Sequence, residues 1–217
     1  MNRTAPAPPF VDRTAAGVAL AIALRRSVEP GNGTVVLGLP RGGVPVAAPV
    51  AAALLAPLDV LLVRKLGLPD QPELAMGAIA AVAGHRELVT NSTVLAAVGA
   101  QTLAAVLAHE TALLEEREQQ LRAGPPLDVE GRTVVVVDDG LATGATMRAA
   151  IAALRHRHPA KVVVAVPVGS PATCRGLRRE VDQLFCLSEP CQFRAVGEAY
   201  VDFSPTTDDE VRTLVRR

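Results

Sequence analysis

Short, unbroken runs of valine and leucine, separated by alanine-rich segments, constrain this chain more than any other feature. The runs occupy residues 34–39, 59–63, 133–138 and 161–167, with a weaker fifth at 183–187. A strand with one face in water alternates apolar and polar residues, so continuous runs predict strands covered on both faces. The segments 44–55, 146–158 and 171–181 carry helical patterns. Strands alternating with helices predict an α/β fold, a doubly wound, mainly parallel sheet flanked by helices. Ligands in such sheets sit beyond the carboxyl ends of the strands. The residues that follow each strand are therefore the functional candidates.

With 217 residues, the chain suits one domain spanning 1–217. Three segments depart from simple alternation. Residues 66–90 are punctuated by glycine and proline and read as a flexible hood. Residues 91–123 read as a long helical insert, capped by Asn91, braced by a Glu118–Arg122 pair and stopped by Gly124-Pro125-Pro126. The spacing leaves open whether this helix packs on the sheet or on a second subunit. Residues 191–217 form a C-terminal segment. Although 49% of the chain is hydrophobic, no apolar stretch approaches the roughly 18 residues of a membrane span. Residues 15–24, preceded by Asp12 as an N-cap, read as a core-facing helix, and residues 2–9 as a frayed leader. No small-residue cleavage site follows Arg25-Arg26, which argues against a secretory signal. Charge is balanced, 22 basic against 22 acidic residues, so nothing favours nucleic acid or an anionic membrane. Cys174, Cys186 and Cys191 match no zinc spacing and no disulfide framework. A reducing, cytoplasmic setting is expected.

The most informative stretch follows the third clear strand: Asp138-Asp139-Gly140-Leu141-Ala142-Thr143-Gly144-Ala145-Thr146. Gly144 and the small Ala142 and Ala145 let the backbone wrap a ligand closely. Thr143 and Thr146 add hydroxyls, and the helix that begins there offers unpaired N–H groups to a phosphate. Two adjacent carboxylates suit a vicinal diol, provided the strand ends at that point, because neighbouring strand residues point to opposite faces. Cradle and clamp together describe a ribose 5-phosphate. Acids at a strand end can also hold magnesium or stand in solvent. A Walker loop is excluded by the absence of Gly-Lys-Ser/Thr, and a dinucleotide fingerprint by the absence of Gly-x-Gly-x-x-Gly after a strand.

Residues 134–146, Val-Val-Val-Val-Asp-Asp-Gly-Leu-Ala-Thr-Gly-Ala-Thr, resemble the phosphoribosyl pyrophosphate (PRPP) signature of the type I phosphoribosyltransferases. The resemblance implies that Asp138 and Asp139 hold the ribose hydroxyls and that Ala142, Thr143, Gly144, Ala145 and Thr146 hold the 5-phosphate. The Leu-Ala-Thr-Gly stretch is closest to the adenine-type members. Gly140 departs from the usual large aliphatic residue.

After the first strand comes Gly38-Leu39-Pro40-Arg41-Gly42-Gly43. Its glycines expose amides before a helix, and Arg41 brings a fixed charge. This resembles the family's pyrophosphate loop, which implies a strained peptide bond between Arg41 and Gly42. Arg64 and Lys65 after the second strand match an Arg-Lys pair placed near pyrophosphate, sometimes reaching a neighbouring subunit. Asp138, Asp139, Arg41 and Lys65 are thus the candidate catalytic residues. Glu73 in the hood is a candidate base on the acceptor. Phe193, Tyr200 and Phe203 make an aromatic cluster on which a flat acceptor could stack, or which could pin the C-terminal segment to the core. The four histidines show no ligand spacing. The resemblance implies transfer of a phosphoribosyl group from PRPP to a nitrogenous acceptor with release of pyrophosphate. Mg2+ would be held mainly through PRPP near the aspartates, in a homodimer. Some chains of this fold instead bind PRPP or nucleotides and regulate, so a non-catalytic sensor is the alternative.

Overall fold

A computed structural model describes residues 9–95, 98–122 and 124–216, apart from the side chains of Pro72, Glu73 and Ala100. The expected leader therefore lies almost wholly outside the described residues. The chain runs α1 (Arg13–Leu24), β1 (Thr34–Gly38), α2 (Gly43–Leu54), β2 (Leu58–Val60), β3 (Leu62–Leu68), β4 (Gln71–Val82) and β5 (His85–Thr90). It continues through α3 (Ser92–Leu95), α4 (Ala100–Leu121), β6 (Thr133–Val137), α5 (Ala145–Arg155), β7 (Lys161–Val168), α6 (Pro171–Leu177) and β8 (Gln183–Ser188). A 3-10 turn at Val196–Ala199 and α7 (Asp208–Val215) complete it.

Five strands form a parallel sheet in the order β2-β1-β6-β7-β8. The unbroken apolar runs follow from its two covered faces. Val35, Leu37, Val134, Val136, Val162 and Val164 point into one core with α5 and α6, while Val36, Val135, Val137 and Val163 point into another with α1 and α2. The Asp12 carboxylate caps α1 by accepting from Ala15 N at 2.7 Å. Gly17 lets α1 approach α2 closely: a Cβ there would lie 2.4 Å from Val46 O.

Two expectations need correction. The second strand does not run through residue 63. It ends at Val60, and after Leu61 the chain leaves the parallel sheet as β3. Residues 66–90, expected as a hood, carry regular structure: β3, β4 and β5 form an antiparallel sheet. Alanine-rich β4 has little intrinsic strand preference. Hydrogen-bonded partners on both sides make it a strand.

The helical insert is also not one helix. Asn91 caps the short α3, its Oδ1 accepting from Val94 N at 3.4 Å. The chain is extended at Gly99 (φ −67°, ψ 143°) before α4 begins. Leu114 and Leu121 of α4 are fully buried with Leu62, Leu66, Met76 and Val211 of α7, so this helix packs on the small sheet of its own chain. The Glu118–Arg122 pair is present, and Arg122 also reaches Asp59 at 3.2 Å. Among the described residues no helix is long and apolar enough to cross a membrane.

Candidate active site

Strand order reverses between β1 and β6. From β1 the chain passes to β2 on one side, whereas β6 and everything after it lie on the other. Loops leaving two such strands diverge, opening a crevice at their carboxyl ends. Gly38 pairs with Val137 in register, and Leu39 N donates to Val137 O at 2.9 Å. The loop carrying Arg41 and the loop carrying the acidic pair therefore start side by side.

They stay in contact. A Cβ on Gly42 would fall 2.0 Å from Asp139 Oδ2, and one on Gly43 would fall 3.1 Å from Asp138 Oδ1. Both carboxylates thus lie against the same two glycines. β6 ends at Val137, so the aspartates stand on loop backbone, free of the strand alternation that would separate them. Gly42 is already helical (φ −61°, ψ −31°) as the residue that opens α2. The irregular bond in this loop, a cis peptide, therefore falls at Pro40–Arg41 and not between Arg41 and Gly42.

Electrostatics divide the two acids. Asp138 Oδ1 accepts a backbone amide, Asp139 N at 2.9 Å. Burial first, and then the neighbouring charge of Asp139, hold its carboxyl well above the usual carboxylate range. Burial also raises Asp139, against the pull of Arg13, whose Nε and Nη2 donate to Asp139 Oδ2 at 2.9 and 2.8 Å. Arg13 lies with its guanidinium 3.9 Å from the centre of the Phe203 ring. Tyr200, 6% exposed, donates its hydroxyl to Asp139 O at 2.6 Å, stacks on Phe203 and meets Phe10 at a tilt. Tyr200 thus pins the C-terminal segment to the acidic loop. Phe203, 37% exposed, keeps some ring surface open. The side chain of Glu73 lies outside the described residues.

Beyond the aspartates, Ala142, Thr143, Ala145 and Thr146 are exposed, so the turn is open to a ligand. Gly144 is buried with φ +75°, a conformation that a side chain would strain. The turn's backbone is braced from outside: Thr173 Oγ1 donates to Ala142 O at 2.6 Å, and Arg148 Nη1 to Thr143 O at 3.1 Å. Leu141 bridges to Gly169, joining the turn to the end of β7.

Arg64 and Lys65 are adjacent in β3 and so project from opposite faces. Arg64 lines a cavity of about 390 Å³ with Leu39, Pro40, Thr146 and Arg117, and its guanidinium is held 2.7 Å from Glu110. Lys65 lines a separate groove with Gly67, Leu68, His109 and Glu110. The fold thus brings Arg64, and not Lys65, to the cavity that Thr146 also lines. Arg41 is exposed, 3.8 Å from Asp208, which also pairs with Arg117 at 2.6 Å.

Arg13, Arg117, Thr173 and Asp208 were not legible as site neighbours in the sequence. Only the start of α6, Ser-Pro-x-Thr, carries a recognisable local signal for one of them.

A sequence profile of the phosphoribosyl transferase domain matches residues 13–202, a span that contains both loops. The chain belongs to the phosphoribosyltransferase family. Two proteins from two strains of Mycobacterium tuberculosis, named only provisionally as phosphoribosyl transferases, are 44% identical over 209 residues, covering 96% of this chain and 46% of theirs. The chain therefore spans about half the length of these curated relatives. A crystal structure from Thermus thermophilus superposes with a TM-score of 0.84 at 42% identity, covering 95% of this chain and 97% of that one. The phosphoribosyltransferase fold, with its mainly parallel sheet between helices, is thus common to this chain and that neighbour.

Proposed function

We propose that this domain transfers the 5-phosphoribosyl group of PRPP to a nitrogenous, nucleobase-like acceptor in the cytoplasm. In that reaction the acceptor nitrogen forms a bond to C1′ as the C1′–O bond breaks, and pyrophosphate departs with the bonding electrons. One observation carries the reading: Asp138 and Asp139 share the Gly42–Gly43 surface at the strand-order switch, beside an open turn of exposed threonines.

Each part then has a task. The carboxylates accept from the two ribose hydroxyls and favour the electron-poor sugar of the transition state. The amides of the 142–146 turn and the first turn of α5 hold the 5-phosphate. Arg41, Arg64 and the Gly42 amide would meet the departing pyrophosphate. Magnesium fits the acidic pair. Both acids are hard oxygen donors that burial pushes above the ordinary carboxylate range, so a bound cation would favour their ionised forms, with Arg13 hydrogen-bonded to Asp139. When bound, the ion neutralises pyrophosphate charge.

The test is pyrophosphate release from PRPP and Mg2+ across a panel of purine, pyrimidine and pyridine acceptors. Release with at least one acceptor, abolished by D138N/D139N, supports transfer. Arg13 on Asp139 and Asp208 on Arg41 supply internal counter-ions to ligand-facing groups, which favours a second reading as a PRPP-binding regulator. Magnesium-dependent PRPP binding with silence on every acceptor would select that second reading.

A further inference from the structure

The site described above leaves one cluster of reactive groups unused. The sulfurs of Cys174 and Cys186 and a carboxylate oxygen of Glu189 lie within 4.8 Å of one another. Both cysteines are free thiols, Cys174 fully buried on α6 and Cys186 partly exposed on β8. They meet over Gly169, where a Cβ would fall 2.6 Å from Cys174 Sγ and 3.2 Å from Cys186 Sγ. Glycine at this position makes room for two sulfurs.

We propose that Cys174 and Cys186 form a reversible disulfide in response to peroxide, clamping α6 to β8 beneath the phosphate turn. The chemistry balances with hydrogen peroxide as the oxidant. A thiolate of the pair attacks peroxide, so that an S–O bond forms, the O–O bond breaks and hydroxide leaves. The second sulfur then attacks the sulfenic acid, the S–S bond forms and the oxygen departs as water. In sum two thiols and one peroxide give one disulfide and two waters.

Three features favour this step. The neighbouring Cys186 thiol and, more weakly, the positive charge of Arg178 pull the Cys174 thiol below its ordinary range against burial and Glu189, which promotes the nucleophilic form. The partial exposure of Cys186 opens the pair to a small oxidant. A metal is the poorer occupant, because Glu189 is already engaged by Arg178. That leaves two sulfurs, fewer than the four ligands of a structural zinc site.

The position ties the pair to the turn. Ser188 O accepts from both Gly169 N at 3.0 Å and Cys186 Sγ at 3.1 Å. Ser170 N donates to Leu141 O at 2.8 Å, and Thr173, next to Cys174, holds Ala142 O. A bond between the sulfurs would stiffen the backbone that positions residues 141–146. The inference is independent of the transferase reading, since it requires only the thiols and their neighbours.

The test uses the full reduced chain treated with a small excess of hydrogen peroxide. Free thiols should fall from three to one, returning to three with dithiothreitol. Tryptic cleavage at Arg175, Arg178 and Arg179 separates the two cysteines, so a linked Cys174–Cys186 peptide two hydrogens lighter is the expected product. Hydrogen exchange across 141–146 should slow in the oxidised form. Cys191→Ser, which removes the exposed thiol, should leave the linkage intact, and Cys186→Ser should abolish it. Thiol loss confined to Cys191, sulfinic acid on Cys186 with Cys174 still reduced, or stoichiometric zinc retained through both thiols would overturn the proposal.

Discussion

Asp138 and Asp139 carry opposing demands. Their carboxyls are raised by burial, so the fold favours their protonated forms. That contribution to stability is complete below the ordinary carboxylate range and disappears as pH rises through the raised folded values. As pH rises above the ordinary carboxylate range, ionising the pair therefore costs stability, and D138N/D139N should raise Tm of the ligand-free protein there by the burial cost removed less the lost Arg13–Asp139 pair. Calorimetry at several pH values should also show that the variant loses the fall in Tm with rising pH above the ordinary carboxylate range. The same variant should weaken PRPP binding by roughly a hundredfold to ten-thousandfold, because two charge-assisted hydrogen bonds of about 1.5–3 kcal/mol each are removed. Wild-type affinity in titration calorimetry would rule out the diol clamp. Arg13 is the counterweight. Arg13→Gln removes the partner of Asp139 and the cation over Phe203, and should lower stability by roughly 1.5–3 kcal/mol in urea unfolding.

At the scale of elements, the site depends on close approach of backbones. Gly144 holds φ +75° with Thr173 packed against it, 2.6 Å from where a Cβ would stand. Gly144→Ala should therefore cost at least the roughly 1–2 kcal/mol of a left-handed non-glycine residue, and should lower affinity for PRPP. Gly42→Ala makes a sharper test. Its Cβ would occupy the place of Asp139 Oδ2, so the carboxylate must move and PRPP affinity should fall by more than tenfold. Unchanged binding in either variant would show that the loops have slack that the structure does not suggest. Legibility also divides by element. The turn at 138–146 stood out as a candidate because its residue types follow one another at fixed spacing. Arg64 and Lys65 could not be sorted from each other, since the side of β3 that faces the cavity is set by its pairing with β4.

For the whole molecule, the decisive joint is the one between the parallel sheet and the α4 layer. Asp59 is 4% exposed and accepts from Arg122 at 3.2 Å, Leu127 N at 3.3 Å and Val60 N at 2.7 Å. Truncating it removes one of the two acids on Arg122 and leaves the Leu127 and Val60 amides without that acceptor, so Asp59→Ala should destabilise by about 1.5–3 kcal/mol. Urea denaturation should show a lower midpoint with an unchanged slope if the layers still unfold together. A second, earlier transition would mean that α4 and the small sheet detach first.

What the sequence determined by itself is the parallel sheet and the candidate residues at its edge. Continuous valine runs between helical segments favour strands buried on both faces, and the acid pair with its glycine–threonine turn is a local pattern, needing no distant partner to be recognised. Tertiary structure alone decided that the alanine-rich 71–82 segment is a strand, that helicity breaks at Gly99, and that Arg13 and Asp208 stand beside Asp139 and Arg41. Those outcomes arise from pairing, burial and charge contacts between residues up to 167 positions apart. No local propensity encodes such contacts.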